Sequence, residues 1–294
     1  MEKISFYIPC YNAESSIREC LDSVINQSYE IDEILVINDA STDKSIDIIK
    51  KYPVRIISHK ENKGLAVCRN TAFREARNEF VASLDADCVA SREWLAELMG
   101  CFTREDVAGA GGMLIERHAL DLANRWRSVH MAQNWGRELV DGPRFLYGSN
   151  SIFKKSAIHS VGLYNEDFIN NYEDIDISYR LYNNGFRLIY NPCARAEHLR
   201  EDTIKSVLET YWRWSSYAHV NACNASHLSK RIVARILLEV EIFHKFSKQD
   251  LIERDYGLLF MDFLFLFYFP MSNLRCFLKK ISQRKFSQWK KMLS

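Results

Sequence analysis

The sequence has no C-x-x-C pair. Its eight cysteines, Cys10, Cys20, Cys68, Cys88, Cys101, Cys193, Cys223 and Cys276, are scattered without metal-finger spacing. They read as free thiols in a reducing compartment. A long apolar run is missing too. The richest stretch, Tyr256 to Met271, contains Gly257, Asp262 and Pro270 and falls short of the roughly 20 residues that cross a bilayer. Met1 to Phe6 enters a strand pattern at once, without the charged segment, apolar core and cleavage site of a secretory signal, so the expectation is a cytoplasmic domain. Glycine is absent from Pro9 to Glu14, and no G-x-G-x-x-G follows the first strand. The first absence argues against a glycine-rich phosphate loop of the pyrophosphorylase kind, and the second against a dinucleotide-dependent oxidoreductase. Neither charge sign dominates: 39 Lys and Arg against 38 Asp and Glu leave a net +1, so the domain is not basic enough to imply a nucleic-acid partner. There is no internal repeat and no low-complexity linker.

What is present is an ordinary globular composition, 47% apolar and 26% charged over 294 residues, enough for one large domain and an appendage. Short β-rich runs alternate with amphipathic helices from the N-terminus, which predicts an α/β sheet covered on both faces. The pattern predicts strands at 4–8, 34–38, 54–58 and 80–84, with helices over 15–27, 45–51, 65–77 and 93–102. A glycine-rich strand over 108–115 leads into a polar and aromatic segment, 117–145, in which regular order is hard to read. Another strand follows Gly148-Ser149-Asn150, then a helix beginning near Asp174 and strands at 188–191 and 194–197. Helices fill the chain from about 204. The expected division is a domain over 1–220 and a helical region over 221–294.

The chemistry-bearing residues gather at strand ends. Pro9-Cys10-Tyr11-Asn12-Ala13-Glu14 follows the first strand and Asn38-Asp39-Ala40-Ser41-Thr42-Asp43 the second, where each alone reads as a turn or helix cap. Asp85-Ala86-Asp87 ends the fourth strand on the same sheet edge, where ligands of open α/β sheets gather. Two carboxylates one residue apart at a strand end cannot both enter an apolar core unpaired, so they need solvent or a cation. Magnesium and manganese suit oxygen ligands and substrate phosphates. Glu173-Asp174 opens a helix in the run Asn170-Asn171-Tyr172-Glu173-Asp174-Ile175-Asp176, which the helix dipole favours. A carboxylate there could also take a proton from an incoming hydroxyl.

Together these residues resemble glycosyltransferase family 2, over roughly residues 1 to 220. The resemblance is carried in order by Pro9, Tyr11, Asn12 and Glu14; Asp39 with Ser41-Thr42-Asp43; Asn62, Gly64, Arg69 and Asn70; Asp85-Ala86-Asp87; Gly148-Ser149-Asn150; Glu173-Asp174; and His198. It implies the GT-A fold, a Rossmann-like nucleotide-diphospho-sugar transferase domain, here with a C-terminal helical appendage. It implies an inverting transfer of a hexosyl or N-acetylhexosaminyl group from a nucleotide-sugar, UDP being the usual nucleotide, to an acceptor hydroxyl. Pro9, Tyr11, Asn12, Glu14, Asp39, Asn62, Arg69, Asp85 and Ala86 would bind the nucleotide. Asp87 and His198 would hold Mn2+ or Mg2+, Asp174 would be the general base, and Glu173 its neighbour at the acceptor site. Asn38 and Ala40 flank Asp39 where the family often has Asp-Asp or Asp-Gly, which leaves base preference open. Thr210 stands where processive synthases of the family carry the glutamine of Gln-x-x-Arg-Trp, although Arg213-Trp214 resembles its end, so a single addition is expected. Tyr211, Trp212 and Trp214 are expected to serve mainly in helix packing. A rival of another class is a catalytically silent carbohydrate-binding or scaffold protein, which loss of the acidic residues would favour; Asp85, Asp87, Glu173 and Asp174 are all present.

No acidic residue follows Asp262, whereas Arg275, Lys279, Lys280, Arg284, Lys285, Lys290 and Lys291 do. Leu274, Phe277, Leu278, Ile281, Trp289 and Met292 fall roughly opposite them, as in a helix lying on anionic lipid. The expectation is peripheral attachment to the inner face of the cell membrane, suited to a lipid-linked glycan or cell-surface polysaccharide precursor as acceptor.

Overall fold

The computed structural model describes residues 2–168, 171–222 and 228–293, with side chains left aside at 216–236, 274 and 276–294. The basic amphipathic side chains expected over 274–292, Arg275 apart, and Asn170 of the acidic run therefore lie outside the described residues. The chain divides into two compact units, Met1–His118 with Ala132–Glu201, and Ala119–Met131 with Asp202–Ser294. The boundary read from the sequence at 220/221 falls inside one continuous helix, Ile204–Ala222.

The first unit is built on a mixed sheet. Strands β1 (Ile4–Cys10), β2 (Glu33–Asn38), β3 (Arg55–Ser58) and β4 (Phe80–Leu84) run parallel. The sheet continues through β5 (Cys88–Ala90), β6 (Val107–Glu116), β7 (Val140–Asp141), β8 (Asn150–Lys154) and β9 (Arg187–His198), in the order β3-β2-β1-β4-β8-β6-β9-β5, with β7 added against β9. Every residue of β1 and β4 is buried, as expected of strands covered on both faces. One face packs Ile4, Phe6, Ile8 and Ala82 against α1 (Ile17–Ile25) and α4 (Trp94–Met99). The other packs Tyr7, Leu35, Ile37 and Val81 against α3 (Leu65–Glu75), α6 (Lys155–Ser160) and α7 (Glu173–Asn183). A short α2 (Ser45–Ile49) joins β2 to β3. Because β4, β6 and β9 run the same way, their carboxyl ends place Asp85–Asp87, Glu116 and His198 on one edge.

Two differences from the sequence expectation have physical causes. The pair of strands at 188–191 and 194–197 is one strand, β9, with a register jump opposite Gly112/Met113. Pro192 sits in that jump, where a residue without an N–H cannot donate to the ladder. The bulge pushes the Ala194 carbonyl inward, so that a Cβ at Gly112 would lie 2.0 Å from it. The segment 117–145 contains α5 (Leu122–His130), started by Asp121, whose carboxylate accepts the Ala123 and Asn124 N–H groups.

The second unit is helical: α5 joins α8 (Ile204–Ala222), α9 (Leu228–Glu253) and α10 (Tyr256–Leu293). Its core is Trp126, Val207, Phe246, Leu258, Met261, Phe265 and Phe269, with Tyr211, Trp212 and Trp214 packed against it. These three aromatics thus serve packing. Among the described residues no helix is long and apolar enough to cross a membrane.

Candidate active site

The site is organised around a buried arginine. Arg69 lies on the inner face of α3 and is 1% exposed. A guanidinium can be buried only if its donors and charge are answered. Here Nη1 donates to the Gly148 carbonyl at 2.7 Å and to Tyr7 Oη and Ser83 Oγ at 3.2 Å, while Nε reaches Glu173 Oε1 at 3.3 Å and Nη2 reaches Asp85 Oδ1 at 3.5 Å. Gly148 must be glycine for this, since a Cβ would meet Arg69 Nη2 at 2.6 Å. Arg69 therefore joins the strand-end acid Asp85 to the helix-start acid Glu173, itself 104 residues from Arg69 in sequence.

Around it stand two pairs of carboxylates. Burial raises the pKa of Asp85, with Arg69 opposing it. Burial also works against ionisation of Asp87, yet the His198 ring, hydrogen-bonded to it, holds it down at about 2. His198 is itself buried, which disfavours its charge, but Nε2 lies 3.2 Å from Asp87 Oδ2 and Nδ1 2.8 Å from Glu116 Oε2. Those two carboxylates bring it up to about 9. Burial raises Glu173 and Asp174 as well; Asp174 pushes Glu173 further and Arg69 restrains both. Asp174 accepts the Ile175 N–H at 2.8 Å and the Gly148 N–H at 3.4 Å, and Glu173 Oε2 is buried without a hydrogen-bond partner. The pair is held by a strained turn: Tyr172, at the start of α7, has φ 82°. A left-handed conformation costs a non-glycine residue about 1–2 kcal/mol, a strain that clusters at functional sites.

The residues expected to bind the nucleotide fall into two groups. Tyr11 is half exposed at the mouth, Asn62 is exposed, Arg69 and Asp85 belong to the hub, Ala86 is buried in the apolar core and Pro9 is buried within β1 opposite Ile37. The side chains of Asn12, Glu14 and Asp39 are engaged with the protein itself. Asn12 Oδ1 accepts the Thr42 N–H at 2.8 Å, and Glu14 Oε2 accepts the Lys44 N–H at 2.9 Å, tying the loop after β1 to the loop after β2. Asp39 accepts the N–H groups of Lys63 and Gly64 at 2.9 to 3.1 Å and a His59 Nδ1 contact at 2.7 Å, fixing the start of α3 and with it Arg69.

The sequence pattern described as Glycosyl transferase family 2 matches residues 5–162, more than half of the chain. The chain belongs to glycosyltransferase family 2. Poly-beta-1,6-N-acetyl-D-glucosamine synthases from Staphylococcus aureus and Staphylococcus epidermidis are 28% and 29% identical to it over 230 residues, 74% of this chain and 55% of each relative. The chain thus spans about half the length of these curated relatives. Among solved structures, a mannosyltransferase from Pyrobaculum calidifontis in complex with GDP-Man and Mn2+ superposes with a TM-score of 0.65 at 18% identity, covering 93% of this chain and 87% of that one. S. aureus TarS in complex with UDP gives 0.57 at 19% identity, over 78% and 68%. These likenesses identify the fold as GT-A.

Within this family 2 chain, the Asp87 and His198 pair fits a divalent cation. His198 Nδ1 has Glu116 as its hydrogen-bond partner, which directs Nε2 toward Asp87, the carboxylate–histidine arrangement that orients metal-ligating imidazoles. One carboxylate and one imidazole suit manganese better than magnesium, which prefers oxygen alone. Glu116 was not among the residues singled out by sequence, nor were His59, Tyr7 and Ser83. Glu116 ends β6 in register with His198, a pairing visible only once the sheet order is known. His59, one residue past β3, could have been flagged as a lone histidine beside a strand end.

Proposed function

We propose that this protein is an inverting glycosyltransferase that moves a single hexosyl or N-acetylhexosaminyl group from a nucleotide-sugar, UDP-linked by preference, to an acceptor hydroxyl. The observation that carries this reading is the meeting of Asp85–Asp87 with Glu173–Asp174 about Arg69. In this reading Asp174 takes the proton from the acceptor hydroxyl as its oxygen attacks the anomeric carbon from the face opposite the diphosphate. The sugar–phosphate bond breaks with its electron pair leaving on the nucleoside diphosphate. A raised pKa suits Asp174 to accept a proton, and the first turn of α7 holds it in place. Glu173, buried against Arg69, keeps the guanidinium in position. Asp87 and His198 would hold Mn2+ or Mg2+, which when bound offsets the negative charge of the departing diphosphate. Tyr11, Asn62, Asp85 and Ala86 would line the nucleotide, with Pro9, Asn12, Glu14 and Asp39 shaping the loops that carry it.

The acceptor is proposed to be a lipid-linked glycan or another cell-surface polysaccharide precursor, reached at the inner face of the membrane through the C-terminal helices. A second reading, repeated addition to a polymer, draws support from the names of the staphylococcal relatives; Thr210, in place of a glutamine, supports the single addition. Calorimetry with UDP, GDP and CDP, with and without manganese, on the full chain and on Asp87→Ala tests the donor site. Manganese-dependent UDP binding lost in the variant is expected. Absence of binding by every nucleotide would overturn the transferase reading in favour of a silent scaffold.

A further inference from the structure

The helical unit buries a second polar cluster that sugar transfer does not use. His130 ends α5, Asp250 lies on α9 and Asp262 on α10. The side chains of His130 and Asp250 are 1% and 0% exposed, and Asp262 is 1% exposed. One potential ligand atom from each lies within 4.8 Å of the other two. His130 Nε2 is 3.1 Å from Asp250 Oδ1 and 3.2 Å from Oδ2. Trp126 Nε1–H and Ser247 Oγ–H donate to the two oxygens of Asp262, at 2.9 and 3.3 Å. The surroundings are aromatic: the Phe246 and Trp126 rings stand 4.1 and 5.1 Å from the imidazole.

The charges here do not balance. Two carboxylates face one imidazole that burial disposes to be neutral, and a buried carboxylate without compensation costs several kcal/mol. Burial and the neighbouring Asp250 accordingly raise Asp262. Hydrogen bonding is also incomplete: Asp250 Oδ1 makes no hydrogen bond, having only the His130 Nε2 ion-pair contact, and His130 Nδ1 is buried without a partner. A proton shared between the two carboxylates would engage one oxygen of each and remove one of the two charges, leaving the second charge and His130 Nδ1 unanswered. A divalent cation would neutralise both carboxylates at once, take up the Asp250 oxygen that makes no hydrogen bond and use the lone pair of a neutral imidazole. The donor set is nitrogen and oxygen, closed off from solvent, which suits a four-coordinate borderline cation.

We propose that the helical unit carries a structural zinc site formed by His130, Asp250 and Asp262, with Ser247 or a water as fourth ligand. The site ties α5, a segment inserted from the middle of the sequence, to α9 and α10. It is separate from the Asp87–His198 pair and does not depend on the transferase reading.

The test is metal content by plasma mass spectrometry on the full chain, grown with zinc and desalted, beside Asp87→Ala so that an ion at the sheet edge is not miscounted. One zinc per chain is expected in both, dropping to background in His130→Gln and in Asp250→Asn. Growth on cobalt adds a measurement that needs no variant: the wild-type chain should show the visible absorption of four-coordinate cobalt. A wild-type chain with neither zinc nor that absorption overturns the proposal and leaves the cluster as a proton-sharing network. Zinc retained undiminished in both variants overturns it equally.

Discussion

At the scale of single residues, the site depends on one buried cation and the carboxylates it restrains. Arg69 keeps Asp85 and Glu173 near each other, and the adjoining Asp174, held by the Ile175 and Gly148 N–H groups, is the proposed base. Replacing Asp174 by Asn removes the proton acceptor while preserving size, and its single amide oxygen can keep the Ile175 N–H contact. Single-turnover transfer should fall by about 10²- to 10⁴-fold, with nucleotide affinity unchanged by calorimetry. The sign of the pH dependence follows from the raised pKa. The base works only when ionised, so activity is lost as pH falls through a midpoint above the ordinary carboxylate value of about 4. A pH profile of kcat whose acidic limb sits at or below that value would remove Asp174 from the role. Neutralising Arg69 as Arg69→Met leaves Glu173 uncompensated in the interior and the half-buried Asp85 without its partner, and an unfolding midpoint lowered by the equivalent of about 3–5 kcal/mol is expected in urea titration.

At the scale of elements, the strand ends were legible in the sequence because polarity interrupts a β-rich run where the chain leaves the sheet, as at Asp39 and Asp85-Ala86-Asp87. Their roles were less legible. Asp39 reads as a ligand-facing acid, yet it caps the entry to α3 through the Lys63 and Gly64 N–H groups, contacts fixed by the β2–β3–α3 arrangement. The short β5 and the α5 helix escaped for a related reason: each is stabilised by a partner far along the chain, β9 in one case and α8 and α10 in the other. β9 was read as two strands because Pro192 breaks the alternation, although the backbone continues through a bulge. That bulge makes Gly112 a test of the element. A methyl group there meets the Ala194 carbonyl, and backbone cannot yield as a flexible side chain can. Gly112→Ala should cost about 1–3 kcal/mol or more in denaturant unfolding, and it should weaken manganese-dependent nucleotide binding because β9 delivers His198.

At the scale of the whole molecule, the composition reads as neutral, but its charges and apolar surface are unevenly spread along the chain. α10 is apolar on two sides. Leu258, Met261, Phe265 and Phe269 enter the helical core, while Tyr256, Phe260, Phe263, Phe267 and Met271 are exposed at spacings of four, three, four and four. A soluble monomer rarely leaves so regular an aromatic stripe in water. The sequence that follows carries Arg275, Lys279, Lys280, Arg284, Lys285, Lys290 and Lys291 and no acid, so an apolar surface is followed along the chain by a basic segment. This order of surfaces matches an anionic lipid leaflet, with each basic residue near the surface contributing about 1 kcal/mol and each inserted aromatic side chain adding burial energy of about 1.5–3 kcal/mol. The full chain should therefore sediment with vesicles containing phosphatidylserine and far less with neutral phosphatidylcholine vesicles, and raised salt should release it. Phe260→Ser combined with Phe267→Ser should weaken sedimentation at least tenfold while leaving manganese-dependent UDP binding intact. Undiminished vesicle binding by that variant would move the contact away from this face of α10, and no binding by the parent chain would remove the membrane from the reading of the acceptor.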